Sequence, residues 1–294
     1  MTLGDRLIGL GFRLYIGLGF LFIFAPIVTL IVFSFNADRY PSLPWKGFTT
    51  SWYRDVLNDS DVIDSFTNSL KVGAIVAGIS TFLGSTAAYF LNRWEFRGKG
   101  VYLGIAVLPP TIPLIILALA LRIFFREITV FSETLSAVVI SHVVIATAFA
   151  MGIVRMRLSE MDPALEEAAW NLGASQWRTI REVVLPQALP AIVASLLITM
   201  AVSWDEFVIA WYVSGFDTTL PVQIFNLFQG QVSPRINAIG SIVFAMTVTL
   251  VLAATLFAAV IGRKGRRSDL GPPDEDEVEP EAMSGNPNTM GVAR

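Results

Sequence analysis

The sequence predicts an all-α, polytopic membrane protein with six transmembrane helices, and three observations carry that expectation. Hydrophobic residues fill 54% of its 294 positions and charged ones only 15%, with a mean hydropathy of +0.61, too apolar for an ordinary soluble domain. Six apolar runs are each about 20 residues long, enough to cross a hydrocarbon core of roughly 30 Å as helices. Lys and Arg crowd into alternate connections between those runs, which sets one orientation for the chain. There is no cysteine, so disulfides, thiolate metal sites and cysteine nucleophiles are excluded.

Arg6 and Arg13 precede the first run, Leu14 to Phe35. It is longer than the core of a cleavable signal and lacks a small-x-small site, so it reads as an uncleaved first span. Residues 36–66 are polar, with Pro41, Pro44, Trp45 and Trp52, and suit an external loop carrying short interfacial helices. A second span covers Ser69 to Leu91, and a short loop with Arg93, Arg97 and Lys99 leads to a third from Val101 to Leu121. A second external loop, 122–134, precedes a fourth span from Leu135 to Val154. After a polar interval, a fifth span runs from Ala191 to Val213, an external loop from 214 to 237, and a sixth span from Ala238 to Ile261.

Six spans put both termini on one side. Arg6, Arg13, Arg93, Arg97, Lys99, Arg155, Arg157, Arg178, Arg181 and the cluster Arg263, Lys264, Arg266 and Arg267 fall together; Arg39, Lys46, Arg54, Lys71, Arg122, Arg126 and Arg235 fall opposite. The excess marks the side of the termini as cytoplasmic. The net charge of −3 hides an uneven division: residues 268–294 hold seven acids against Arg294 alone, which leaves residues 1–267 at +3. That tail, rich in Pro, Asp and Glu, cannot bury enough apolar surface to fold, so two regions are expected: a transmembrane domain, 1–267, and a disordered acidic cytoplasmic tail, 268–294.

The polar interval from Asp162 to Pro190 organises the chain. Asp162 is a good N-cap, Pro163 suits a first helical turn, and Gly173 suits a left-handed helix stop. Ser175 can then cap a second helix toward Leu185-Pro186. Leu165, Ala168, Ala169 and Leu172 form an apolar stripe on the first helix, and Trp177, Ile180, Val183 and Val184 on the second; Glu166, Glu167, Arg178 and Arg181 lie off both.

Glu167-Ala168-Ala169, Gly173 after three further residues, and Val183-x-Leu185-Pro186 resemble the EAA loop of permease subunits of binding-protein-dependent ABC importers, with Val183 where isoleucine is usual. The resemblance implies an importer-permease fold in which residues 155–190 supply cytoplasmic coupling helices. It assigns ATPase coupling to Glu167, Ala168, Ala169, Gly173, Leu185 and Pro186. An amphipathic connector lying on the membrane or on its own bundle is the plainer alternative.

Asp205 and Glu206 lie well inside the fifth span, where a carboxylate is costly and signals a polar cavity or a partner. Adjacent helical residues point about 100° apart, so one acid can face a pathway while the other pairs with a neighbour. Attraction of a cationic substrate is one reading; pairing with Lys71, Arg122 or a companion subunit is the other. Aromatic faces near carboxylates suit a cation; Trp211 and Tyr212 read as an interfacial belt, and Trp204 stays open between the two readings. In the third span Pro109, Pro110 and Pro113 remove three helix donors, so the span must break. Irregular backbone at that depth needs protein or a wet cavity around it, which fits a pathway-lining segment or a static kink alike. His142, the single histidine, reads as hydrogen-bonded between helices.

There is no GxxxxGK[ST] loop, HExxH helix or GxSxG elbow, so the chain is not expected to be an enzyme or to hold a cofactor of its own. SWDEFVIAWYVSG with TTLPV, FAPIVTLIVFSFN in the first span and LPPTIPLIILALAL in the third resemble the spermidine/putrescine permeases, with Glu206 where aspartate is common. That resemblance implies ATP-driven polyamine import across a bacterial inner membrane by alternating access. It also implies a second permease, two copies of a cytoplasmic ATPase holding ATP and Mg, and an extracytoplasmic binding protein. The lipid bilayer is the remaining partner, and nucleic acid is not expected. Import of another organic solute or of iron is the nearest alternative. An ion-gradient-driven secondary transporter is the alternative of another class, and it would show repeated halves and ion-coupling groups that the sequence lacks.

Overall fold

The computed structural model describes residues 3–40, 43–127, 133–230 and 233–249, and among them helix is the dominant structure. In chain order the helices are α1 (Leu3–Phe33), α2 (Ser51–Leu57), α3 (Ser60–Arg93), α4 (Lys99–Val107), α5 (Leu114–Glu127), α6 (Leu135–Ser159), α7 (Ala164–Asn171), α8 (Gln176–Thr179), α9 (Leu185–Asp205), α10 (Val208–Val213) and α11 (Leu220–Gly230). Residues 234–249 are also helical. Among the described residues the only extended pairing is an isolated bridge between Asn36 and Phe48.

Among the described residues four helices are long and apolar enough to cross a membrane: Ile8–Phe33, Ser60–Arg93, Leu135–Ser159 and Gln176–Asp205. The stretch expected as the third span is not one continuous helix but two, as its prolines require. α4 ends at Val107, Pro109–Thr111 form one 3-10 turn, and extended backbone at Ile112 precedes α5. The expected sixth span is helical as far as residue 249; its remainder, and the acidic tail, lie outside the described residues.

The fifth span departs from its expected limits at both ends. Its first half is continuous with the second helix of the polar interval, because α8 passes through a π turn at Ile180–Val184 directly into α9. The wide turn shifts the hydrogen-bond register just before Pro186, which has no N–H to offer, so the helix runs on through Pro186 and Pro190. At the other end the helix stops at Asp205. Glu206 is extended, with φ −71° and ψ 111°, and α10 starts two residues later.

α3, α6 and α9 form the core. Gly84 of α3 lies so close to Ala150 of α6 that a Cβ added to it would meet the Ala150 methyl at 2.6 Å. Small residues of this kind set close helix approach in lipid, where apolar surface alone gives no preference for protein over tails. Val72, Val76, Val138, Ile145, Ala146 and Ile209 fill one buried cluster; Ala88, Leu91, Met151, Val154, Leu158 and Val184 fill another toward α7. Hydroxyls join α3 to α9 between them: Thr81 and Thr199 are 3.4 Å apart, and Ser195 donates to Thr81 at 3.5 Å. At the end opposite α7, Asp59 caps α3 by accepting from the Asp61 and Val62 N–H groups and also pairs with Arg235.

Candidate functional site

Two regions carry the sequence-predicted residues, and the bundle places them at different levels. The first is the interval around α7. Asp162 Oδ1 accepts from the Ala164 N–H at 2.9 Å, so it caps the helix as its side chain suggests. The helix closes on Gly173, whose φ of +82° is left-handed. Gly173 N–H donates to Trp170 O and Ala174 N–H to Ala169 O, the paired bonds of a Schellman stop. Ser175 then accepts from the Arg178 N–H to start α8.

This interval turns an apolar surface outward. Leu172 is 89% exposed and Trp177 71%, and Leu165 and Trp170 are exposed beside them. Glu167, Ala168, Gly173, Leu185 and Pro186 are all exposed and Ala169 is half-buried. Glu166 behaves differently: it is 3% exposed and forms an ion pair with Arg93 at the end of α3. Sequence reasoning placed both glutamates off the apolar stripe. The burial of Glu166 depends on a guanidinium 73 positions away, which no local pattern contains.

The second region is the break in the fifth span. Glu206 turns its carboxylate onto the start of α10, accepting from the Ile209 N–H at 2.9 and 3.1 Å and from the Ala210 N–H at 3.1 Å. Its side chain is 8% exposed, and its Oε2 lies 3.3 Å from His142 Nε2. His142 Nδ1 shares a 2.9 Å hydrogen bond with Ser203. Ser203, His142 and Glu206 therefore form a buried polar chain across α6, α9 and the break. Neither Lys71 nor Arg122 is the partner of the acids; Arg122 donates to Tyr212 O at 3.0 Å and faces Glu133. The sequence had His142 as a hydrogen-bonded histidine between helices, and the structure supplies the partners.

Asp205 is exposed and makes no ion pair among the described residues. Next to it Trp204 is half-buried and meets Phe66 edge-on, with centroids 5.6 Å apart. Phe207, Trp211 and Phe225 make a separate aromatic cluster. Pro109 and Pro110 are half-buried and Pro113 is exposed. Their turn packs on α6, and α5 beyond it packs on α10. A carboxylate without an ion-pair partner among the described residues, one position from a tryptophan, can attract a cation. Among the described residues no group of three or more acids and histidines is arranged to hold a metal ion.

The model of the family described as "Binding-protein-dependent transport system inner membrane component" matches residues 80–267. The chain belongs to this family. It is therefore an ABC importer permease of the helical membrane type. It is 32% identical over 236 residues to the spermidine/putrescine transport system permease protein PotC of Haemophilus influenzae, covering 80% of this chain and 91% of PotC. It is likewise 32% identical to the Escherichia coli PotC, over 81% of this chain and 89% of that protein. The putrescine transport system permease protein PotI of Escherichia coli is also 32% identical, over 77% of this permease and 83% of PotI. Among solved structures, a bacterial ABC transporter that imports the acidic polysaccharide alginate shares the fold, with a TM-score of 0.67 at 18% identity over 88% of this chain and 98% of its own. A subunit of the methionine ABC transporter MetNI in an inward-facing conformation gives a TM-score of 0.56 at 21% identity, over 66% and 92%.

Proposed function

We propose that this permease carries spermidine or putrescine into the cell, driven by ATP hydrolysis on a separate cytoplasmic ATPase, by alternating access. The observation that carries this reading is the 32% identity to the PotC proteins across four-fifths of the chain. A polyamine is a short methylene chain ending in ammonium groups. The exposed Asp205 offers an ammonium a carboxylate, and Trp204 with Phe66 offers the chain an aromatic wall.

In this reading a second permease completes the pathway, an extracytoplasmic protein delivers the substrate, and two ATPase copies hold ATP and Mg. Both termini face the cytoplasm, which agrees with the Lys/Arg excess and puts α7 within reach of an ATPase. Glu167, Ala168, Ala169, Gly173, Leu185 and Pro186, together with the outward Leu172 and Trp177, form the docking surface. Asp205, Trp204 and the Pro109–Pro113 segment border the route, while Glu206 shapes it from behind.

The test is uptake of radiolabelled spermidine and putrescine into vesicles holding the complete complex, with ion gradients collapsed by ionophores. Uptake that needs ATP and survives the ionophores supports the reading. Uptake that ignores ATP and follows an ion gradient would assign the chain to secondary transport, and ATP-driven transport that excludes both polyamines would remove the substrate.

A further inference from the structure

We propose that the Arg93–Glu166 ion pair is the linkage through which movement of α7 reaches the substrate pathway, an inference that rests on α7 being the helix that docks the ATPase. Glu166 is the one buried residue of α7. An amphipathic helix ordinarily anchors itself by apolar side chains, and this one turns its apolar side chains outward and buries a carboxylate. The carboxylate meets Arg93, the last residue of α3, whose side chain is 16% exposed.

The chemistry of that contact suits transmission. Apolar surfaces slide past one another at little cost, whereas separating a buried ion pair leaves a charge uncompensated in a poorly solvated site. α7 therefore cannot move without drawing the end of α3 along. Arg93 Nε has no hydrogen-bond partner among the described residues. The guanidinium fork can thus rotate onto the second oxygen of Glu166 as α7 shifts, keeping the pair intact through the movement.

α3 is placed to pass the movement on, because polar contacts tie it to its neighbours along its length. Next to Arg93, Asn92 donates to Leu158 O of α6 at 2.9 Å. Midway, Thr81 meets Thr199 of α9, six residues before Asp205. Toward the far end Asn68 donates to Thr218 O at 3.2 Å, and Ser69 Oγ accepts from the Leu220 N–H at 2.8 Å. One helix thus joins α7, the helix that leads to Asp205, and the segment beyond α10.

Because the natural chain has no cysteine, a single Ala201→Cys reports on the pathway by maleimide labelling. Ala201 is exposed and lies one helical turn before Asp205. In the complete complex carrying only this change, MgATP is expected to alter the labelling rate. Glu166→Gln and Arg93→Gln are each expected to keep the ATPase bound and hydrolysing ATP, while the MgATP effect shrinks by about 5- to 150-fold, the usual range of coupling between sites. The exchanged pair Arg93→Glu with Glu166→Arg is expected to restore most of it. A full MgATP effect in both single variants would overturn the linkage and leave docking untouched; so would loss of the bound ATPase in Glu166→Gln, since that makes Glu166 a docking residue. Leu172→Asp tests docking by itself: an ATPase that stays bound and active there removes the docking reading and the linkage with it.

Discussion

Glu206→Gln should destabilise the permease because the carboxylate holds the break in the fifth span together. It accepts three backbone contacts from Ile209 and Ala210, and α10 is only six residues long, too short to persist without a cap. A hydrogen bond to a charged acceptor contributes about 1.5–3 kcal/mol and a neutral one about 0.5–1.5. Glutamine keeps one accepting oxygen and turns an NH2 group toward a backbone donor or His142. The exchange loses about 1–1.5 kcal/mol, and a further ~0.3–1 kcal/mol for a negative charge lost from a helix N-terminus gives about 1.3–2.5 kcal/mol in total. At the roughly 2–4 °C per kcal/mol of domains of about 150–250 residues, that corresponds to a fall of about 3–10 °C in the thermal midpoint. The assay is thermal unfolding of the purified complex in detergent, with Asp205→Asn as the comparison. An unchanged midpoint in Glu206→Gln, or an equal fall in Asp205→Asn, would refute the division of labour between the two acids.

Gly173→Val has open space around its side chain, so its cost lies in forcing a β-branched residue to φ +82°, at least about 1–2 kcal/mol. The subunit should insert normally, and ATPase co-purification should fall. Gly84→Ala places a methyl within 2.6 Å of Ala150 and of the Met151 backbone, so α3 and α6 must part; an overpacking cost of about 1–3 kcal/mol should lower the thermal midpoint of the complex. For orientation, single cysteines replacing the exposed Thr50 and Ser175 should label from outside the cell at position 50 and stay unlabelled at 175. The reverse pattern would place α7 beyond an ATPase's reach.

Much of the fold was legible because its signals are local. The apolar run of α1, the proline break between α4 and α5, and the Asp162 cap and Gly173 stop of α7 each rest on residues within a turn of the feature. What escaped the sequence depends on distant partners. SWDEFVIAWYV contains neither glycine nor proline to announce a break; the break is held by a cap that Glu206 provides while facing His142, 64 positions earlier. Pro186 reads as a stop, and only the π turn before it shows that the helix runs on into α9. Glu166 and Glu167 are equivalent by composition, and Arg93 alone tells them apart.

The most direct test of the account is the effect of Asp205→Asn on spermidine uptake by complexes matched for ATPase content. The substitution keeps size and polarity and removes one charge from an exposed position. A lost charge contact of about 1–3 kcal/mol should lower uptake roughly tenfold to a hundredfold with assembly and thermal midpoint unchanged. Native uptake by Asp205→Asn, in complexes that import spermidine with ATP, would contradict the placement of this carboxylate on the substrate's route.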